Sequence, residues 1–334
     1  MRAEIFEQPA VLSRVLAEES GPAERIAREL RRRGVRFAVL AARGTSDHAA
    51  ILGKYILGCA LGVPAALAAP SIATLYKSRL RLEGSAVFGV SQSGRSPDIV
   101  EYVRAARRAG AVTVAVTNDP GSPLAQAARH RLLLHAGPER SVAATKTFTS
   151  ELACLYLLAA RWKGGKPGTR MLKDLELMPG LASAALGLDE AVAADMSRCR
   201  RMERCEVIGR GFPFPVALET ALKFKETAGI FAEGASAADF LHGPIGMAKY
   251  QAGPGFRALL LLSKGPGLAS LRTVEEKLKA AGVGVLRLGP PDCPDFLSPI
   301  PLAVCGQLAA YHLALLKGRD PDHPAGLRKV TRTR

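Results

Sequence analysis

Hydrophobic positions along the chain fall into short continuous runs separated by helical stretches. Apolar residues recur at helical spacing over 10–33 (Val11, Val15, Ile26, Leu30). A solid apolar run then spans Phe37–Ala42, closed by the turn Arg43-Gly44-Thr45-Ser46 and a helix expected from Asp47 to Gly58. The same alternation continues through strands expected at Ser85–Val90, Ala111–Val116 and Arg131–His135, with a helix from Pro97 to Arg108 and a long apolar helix over Thr147–Trp162. Unbroken apolar strands alternating with helices predict a parallel sheet covered on both faces.

The second half repeats the plan. Strands are expected at Glu206–Gly209, Phe256–Leu262 and Val283–Leu288, with helices from Pro215 to Gly229 and from Leu268 to Ala281. Gly44 and Gly211 lie almost as far apart along the chain as Ser91 and Ser263, which end corresponding strands. That near-equal spacing points to an internal duplication. The Gly/Lys/Pro-rich Lys163–Thr169 reads as the linker. The expected organisation is a helical segment over 1–35, a first α/β domain over 36–163, a linker and helix over 164–195, and a second α/β domain with a C-terminal tail over 196–334.

Composition narrows the class. The 334 residues, 48% hydrophobic and 23% charged, are ordinary for a folded protein of about two domains, which excludes whole-chain disorder. No apolar run such as Ala258–Leu262 reaches the ~18 residues of a membrane span. The charged first residues do not read as a signal peptide, so a cytoplasmic protein with no membrane partner is expected. Six cysteines (Cys59, Cys154, Cys199, Cys205, Cys293, Cys305) form no C-x-x-C pair and read as buried thiols. The histidines form no metal-binding pattern, so no metal or cofactor is expected. Lys+Arg 46 against Asp+Glu 30 gives a net charge of +16, which suits an anionic substrate as well as a nucleic acid.

Candidate chemistry sits at the carboxyl ends of the strands, where open parallel sheets bind ligands. There the first half places Thr45, Ser46, Ser91, Ser93 and Ser96 in two loops, two of them beside glycine. Small hydroxyl residues and following helix N-termini suit a phosphate. Ser96-Pro97 would also make a good N-cap and N1 pair, so plain capping is the competing explanation. In the second half Glu219, Lys223 and Glu226 fall at about 0°, 40° and −20° on one helical face. An exposed salt-bridged stripe would look the same, but the apolar surroundings favour a general base with a cationic neighbour. His242, in Leu241-His242-Gly243-Pro244, is a candidate proton-transfer group.

The segments ARGTSDHA (42–49), SQSGRSPD (91–98), AGPERSVAATKTFTSEL (136–152), RGFPFPVALETALKFKETAGIFAEGASAADFLHGPI (210–245) and DHPAGLRKVTRT (322–333) resemble tandem sugar isomerase (SIS) domain proteins. The chain is similar to the isomerase half of glucosamine-6-phosphate synthase. The resemblance implies two SIS domains, each a flavodoxin-like three-layer sandwich, in a homodimer without nucleic-acid or membrane partners. It implies a phosphosugar site from Ser46, Ser91, Gln92, Ser93, Ser96 and the Val142–Thr145 loop, which includes Ala144 and Thr145. Glu226 would move a proton between C1 and C2. His242 would act in ring opening, often from the neighbouring subunit. Lys329 would contact the sugar carbonyl, with Glu219 and Lys223 lining the site.

Two departures shape the expected activity. No glutaminase segment is recognisable, and Ala144 stands where the synthase usually has serine. Ser141-Val142-Ala143-Ala144-Thr145-Lys146 looks more like the stand-alone aminosugar-phosphate deaminases. The expectation is therefore glucosamine 6-phosphate going to fructose 6-phosphate and ammonia. A fructosamine-phosphate deglycase is the close alternative, and a non-catalytic phosphosugar-sensing regulator is the alternative from another class.

Overall fold

The computed structural model describes residues 1–290 and 294–329, and resolves into two compact units. One holds Gln8–Glu139, Lys146–Pro179 and the described part of Arg328–Arg334; the other holds Met1–Glu7, Arg140–Thr145 and Gly180–Leu327. Each unit contains one wholly parallel sheet.

The first sheet has strands β1 (Phe37–Ala41), β2 (Ala65–Leu67), β3 (Ser85–Val90), β4 (Val112–Thr117) and β5 (His130–Leu133), in the order β2-β1-β3-β4-β5. Every residue of β3 and β4 is buried, the consequence of helices covering both faces. On one face Val39, Val87 and Ala115 pack with Ile99 and Val103 of a helix over Pro97–Arg108. Elsewhere in the unit, helices α1 (Ser20–Arg32), α2 (Thr45–Ile56), α3 (Pro97–Arg108) and α4 (Lys146–Lys163) follow in chain order. α4 is buried nearly all round, as a helix without a polar face must be. Gly53 of α2 permits a close approach, since a Cβ there would meet Leu40 Cδ2 at 2.6 Å.

The second sheet has β6 (Arg204–Gly209), β7 (Phe231–Ser236), β8 (Phe256–Leu261) and β9 (Gly284–Leu288), in the order β7-β6-β8-β9. It repeats the first sheet's order without a counterpart of β5. The repeat extends to an unusual detail. α2 runs into a π-helical turn, Leu57–Leu61, ended by Gly62 in the left-handed region (φ 69°). Helix α5 (Pro213–Lys223) runs into another, Phe224–Ala228, ended by Gly229 (φ 58°). The third residue is Cys59 in the first turn and Glu226 in the second. π-turns inside helices concentrate at functional sites. Helices of this unit include α6 (Leu268–Ala280) and the buried α7 (Pro299–Leu316).

Strand positions agree with the hydrophobic pattern to within a residue or two, except for β2 and β7, which the pattern does not predict. β2 is only three residues long, and β7 carries Glu233 and Gly234 with Phe231 83% exposed. Neither presents an apolar run. Gly234 is required by packing, because a Cβ there would meet Leu218 Cα at 2.6 Å. The expected helix over 10–33 is two helices, Gln8–Glu18 and α1. The expected linker at Lys163–Thr169 is a break at Gly164 (φ 62°) between α4 and a helix over Gly165–Leu175. α7 also went unpredicted; it is long and apolar enough to cross a membrane by composition, but 78% of it is buried inside the fold. Of the cysteines expected to be buried, Cys154, Cys199, Cys205 and Cys305 are buried, Cys59 is exposed, and Cys293 lies outside the described residues.

Candidate active site

In the first unit, the β1–α2 and β3–α3 loops leave neighbouring parallel strands at their carboxyl ends. Arg43 Nε ties them together by donating to Asp98 Oδ2 at 2.8 Å, with Asp98 buried. The β3–α3 loop is a tight cradle. Gly94 N donates to Ser91 O at 3.1 Å and to Ser91 Oγ at 3.2 Å, and Arg95 N donates to Ser93 Oγ at 3.3 Å. Asn118 N and Thr117 Oγ1 both donate to Gln92 O. Gly94 (φ 61°) has no room for a side chain, since a Cβ would meet Ser122 Oγ at 2.3 Å.

Ser96 is the N-cap of α3 with Pro97 behind it, yet it makes no side-chain cap hydrogen bond. Capping therefore does not consume its hydroxyl. Ser46, by contrast, donates its hydroxyl to buried Glu151 Oε1 at 2.7 Å, which leaves its lone pairs rather than its proton for a ligand. Thr45 is the first residue of α2.

The corresponding loop of the second sheet is already filled. Ser263 Oγ donates to Asp295 Oδ1 at 2.5 Å, and a Cβ on Gly265 would meet Asp295 Cγ at 2.2 Å. A carboxylate at the mouth of that loop opposes a second anion.

Lys329, in the C-terminal tail, donates to Glu139 Oε2 at 2.7 Å. Glu139 is buried and also accepts from Thr147 Oγ1 at 2.8 Å and Thr147 N at 3.2 Å, in the first turn of α4. Neither Glu139 nor Glu151 stands out in the sequence as a partner of Lys329 or Ser46. Their membership of the segment 136–152 is the one signal that could have marked them.

The second unit holds the charged triad. Lys223 is fully buried, with Nζ 2.5 Å from Glu226 Oε2 and 3.3 Å from Glu219 Oε1. Burial alone would pull its pKa down, but the two carboxylates outweigh it and hold the ammonium above its ordinary value. Glu219 is buried, whereas Glu226 keeps a side-chain exposure of 24%. The π-turn starts immediately after Lys223, so Glu226 is not on a regular α-helical face, yet the ion pair forms. A surface stripe would not bury its lysine, and that explanation of the triad is excluded.

Glu226 lines a cavity of about 540 Å³ together with Arg319, Asp320, His323, Pro324 and Leu327 of the C-terminal tail. The tail is pinned at Asp322, which accepts from the Met1 amine through its side chain and from Val142 N through its carbonyl at 3.2 Å. The 140–145 strap is held in turn by buried Glu4, which accepts from Arg140 N and from Ser141 Oγ at 2.6 Å. Gln307 Nε2 donates to Thr145 O at 3.1 Å. These bonds position Val142, Ala144 and Thr145 within the unit that carries Glu226. His242 ends a short helix, Ala237–Leu241, and is exposed; it is not among the residues lining the Glu226 cavity.

Comparison with known proteins places these features. A model described as the SIS domain matches residues 29–161. A chain of known structure described as a phosphosugar isomerase, from Silicibacter pomeroyi DSS-3, is 34% identical with a TM-score of 0.87, covering 96% of this chain and 99% of that one. The chain belongs to the SIS-domain family. The glutamine–fructose-6-phosphate aminotransferase (isomerizing) of Pyrococcus horikoshii is 32% identical over 98% of this SIS-domain chain and 57% of the relative. The chain thus spans little more than half the length of that relative. Glucosamine-6-phosphate deaminase from Thermotoga maritima has the same fold, with 20% identity and a TM-score of 0.76 over 97% of this chain and 100% of that one.

Proposed function

We propose that this protein is a tandem SIS-domain enzyme that moves a proton between C1 and C2 of a sugar phosphate, converting glucosamine 6-phosphate to fructose 6-phosphate and ammonia. The observation that carries the reading is Glu226. It is a part-exposed carboxylate on a cavity wall, on a π-turn, gripped by a wholly buried lysine. A base must reach substrate, and its orientation must be fixed; Lys223 supplies the second without obstructing the first.

In this reading Ser91, Ser93 and Ser96 hold the phosphate, helped by the α3 N-terminus, with Gln92, Thr45 and Ser46 beside them. Val142, Ala144 and Thr145 line the sugar, as do Glu219 and Lys223. His242 assists ring opening, and Lys329 polarises the open-chain C1 carbonyl. Glu226 then takes the C2 proton and the C1 oxygen is protonated, giving an enolamine. Return of the proton to C1 makes a C2 imine. Water adds to that carbon, the C–N bond breaks, and ammonia leaves with a ketose phosphate behind. The enzyme works as a cytoplasmic homodimer without a metal or cofactor.

Incubation with a panel of glucosamine 6-phosphate, galactosamine 6-phosphate and fructosamine phosphates tests the reading. Stoichiometric ammonia and fructose 6-phosphate from glucosamine 6-phosphate are expected. Turnover confined to fructosamine phosphates would make it a deglycase instead, and no proton exchange on any member would remove the enzyme reading.

A further inference from the structure

The chain that leaves β5 takes an unusual course on its way to Glu139. The ladder with β4 makes its last bond from Leu134 N to Thr117 O at 3.1 Å. His135 and Gly137 then both adopt the left-handed region (φ 47° and 64°), and Pro138 leads into Glu139. A left-handed histidine is costly and persists only where its surroundings hold it. Here His135 Nε2 lies 2.7 Å from Glu19 Oε1, and the His135 carbonyl accepts from Arg14 Nε at 3.2 Å.

The kink takes Ala136 N and Gly137 O out of the ladder, and Ala136 is buried. One side chain serves both. Asn118 Oδ1 accepts from Ala136 N at 3.1 Å, and Asn118 Nδ2 donates to Gly137 O at 2.7 Å. The carboxamide, with one acceptor and one donor, stands in for a peptide group beyond the end of the ladder. Through its main chain the same residue reaches the other way, since Asn118 N donates to Gln92 O at 3.0 Å, inside the serine loop. An asparagine that only closed a turn would bond within its own loop. Asn118 bonds eighteen and nineteen residues away, and the local turn is closed instead by Asp119, whose Oδ1 accepts from Gly121 N at 2.8 Å.

We propose that Asn118 is a positioning residue: through Gly137 and Glu139 it fixes Lys329 at a set distance from the loop that carries Ser91, Ser93 and Ser96. Gly137 is two residues from Glu139, with the Pro138 ring stiffening the link, and Glu139 holds Lys329 Nζ at 2.7 Å. All of these residues belong to the first unit. The inference rests on the reaction proposed above, in which the loop holds the phosphate and Lys329 polarises C1. Those two groups lie at opposite ends of a hexose 6-phosphate, so the spacing of their protein partners decides whether the carbonyl meets the ammonium.

The test is a double-mutant cycle on the full chain, read by steady-state kinetics and thermal melts. Asn118→Ala keeps the N–H that bonds Gln92, so KM for glucosamine 6-phosphate should stay within about twofold while kcat falls by about tenfold. In a Lys329→Met background the same substitution should change kcat by less than about twofold, because the residue it positions is gone. Asn118→Asp keeps the acceptor for Ala136 N and loses the donor for Gly137 O; it gives a second variant if alanine folds poorly, with the same dependence on Lys329. An undiminished kcat in both variants, or an equal loss with and without Lys329, would overturn the proposal. A second readout needs no turnover: reductive methylation of Lys329, followed by the mass of its peptide, should run several-fold faster in Asn118→Ala than in wild type. Faster labelling in a protein that turns over no sugar phosphate would keep the tie and remove the reaction. Unchanged labelling would overturn the tie whatever the turnover.

Discussion

Lys329 Nζ donates to Glu139 Oε2 across 2.7 Å, and Glu139 is buried where the first turn of α4 also donates to it through Thr147. Two residues far apart in the chain are thereby fixed to one another by a carboxylate that has no other exit to water. The position of the lysine is set by the first unit's own framework.

Lys329 is therefore expected to lose function when its anchor is weakened as well as when it is removed. Lys329→Met should cost most of the rate. Glu139→Gln keeps the shape and the Thr147 bonds but halves the grip on the ammonium, so kcat should fall by about tenfold or more with little change in Tm. Steady-state kinetics beside a thermal melt would check this. An undiminished kcat in Glu139→Gln would show that the Lys329 position does not limit the reaction.

Glu226→Gln should reduce turnover by about 10²–10⁴-fold, the usual worth of a general base, and leave sugar-phosphate binding nearly intact. The amide preserves shape and can still meet Lys223, but cannot accept the C2 proton. Wild-type protein in deuterated water should place deuterium at C1 or C2, and the variant should not. Persistent exchange in the variant would move the base to Glu219 or His242.

Much of this arrangement was legible in the residues, for a physical reason in each case. Strands such as Ser85–Val90 are buried at every position, so Ala86–Val90 carries no polar side chain. The triad spacing survives because Lys223 still reaches Glu226 at i+3 although the helix changes to a π-turn. What escaped depends on long-range packing. β7 is an edge strand whose Gly234 serves the approach of α5, so it carries no hydrophobic run. The pairing of Ser46 with Glu151, and the filling of the Ser263 loop by Asp295, join residues that nothing in local spacing relates.

The two serine loops should respond differently to substitution. Ser96→Ala removes a hydroxyl that caps nothing, so Tm should hold while KM for the sugar phosphate rises by about tenfold, the effect of one lost hydrogen bond to a charged group. Ser263→Ala removes the partner of Asp295, so it should lower Tm and leave KM unchanged. A rise in KM from Ser263→Ala at unchanged stability would contradict the assignment of the phosphate to the first sheet.

Stability should fall as pH rises through the window set by Glu206. Its carboxyl ionises near 4.5 in the unfolded chain and at about 7 in the folded one. Between those values the unfolded state has already released a proton that the folded state keeps, so raising the pH favours unfolding. Thermal midpoints should decline by a few degrees from about pH 5 to about pH 8, relative to Glu206→Gln, which has no proton to lose. Parallel wild-type and variant curves would assign the loss to other groups.

The last expectation concerns His242. A proton-transfer group in ring opening must reach the sugar, yet His242 is exposed and does not line the cavity that holds Glu226. Its helix is short, its loop carries Gly243 and Pro244, and Met247 and Tyr250 just beyond are 40% and 88% exposed. Exposed large apolar residues next to a candidate catalytic side chain fit a surface covered by a second copy of the chain. The proposal is a homodimer in which each site is completed by the partner's histidine. Mixing Glu226→Ala and His242→Ala proteins under exchange should regenerate up to one intact site per hybrid dimer, restoring activity that neither parent has. The hybrid must first be shown to form, by size and by a tag on one parent. A formed hybrid as inactive as its parents would confine Glu226 and His242 to the same chain.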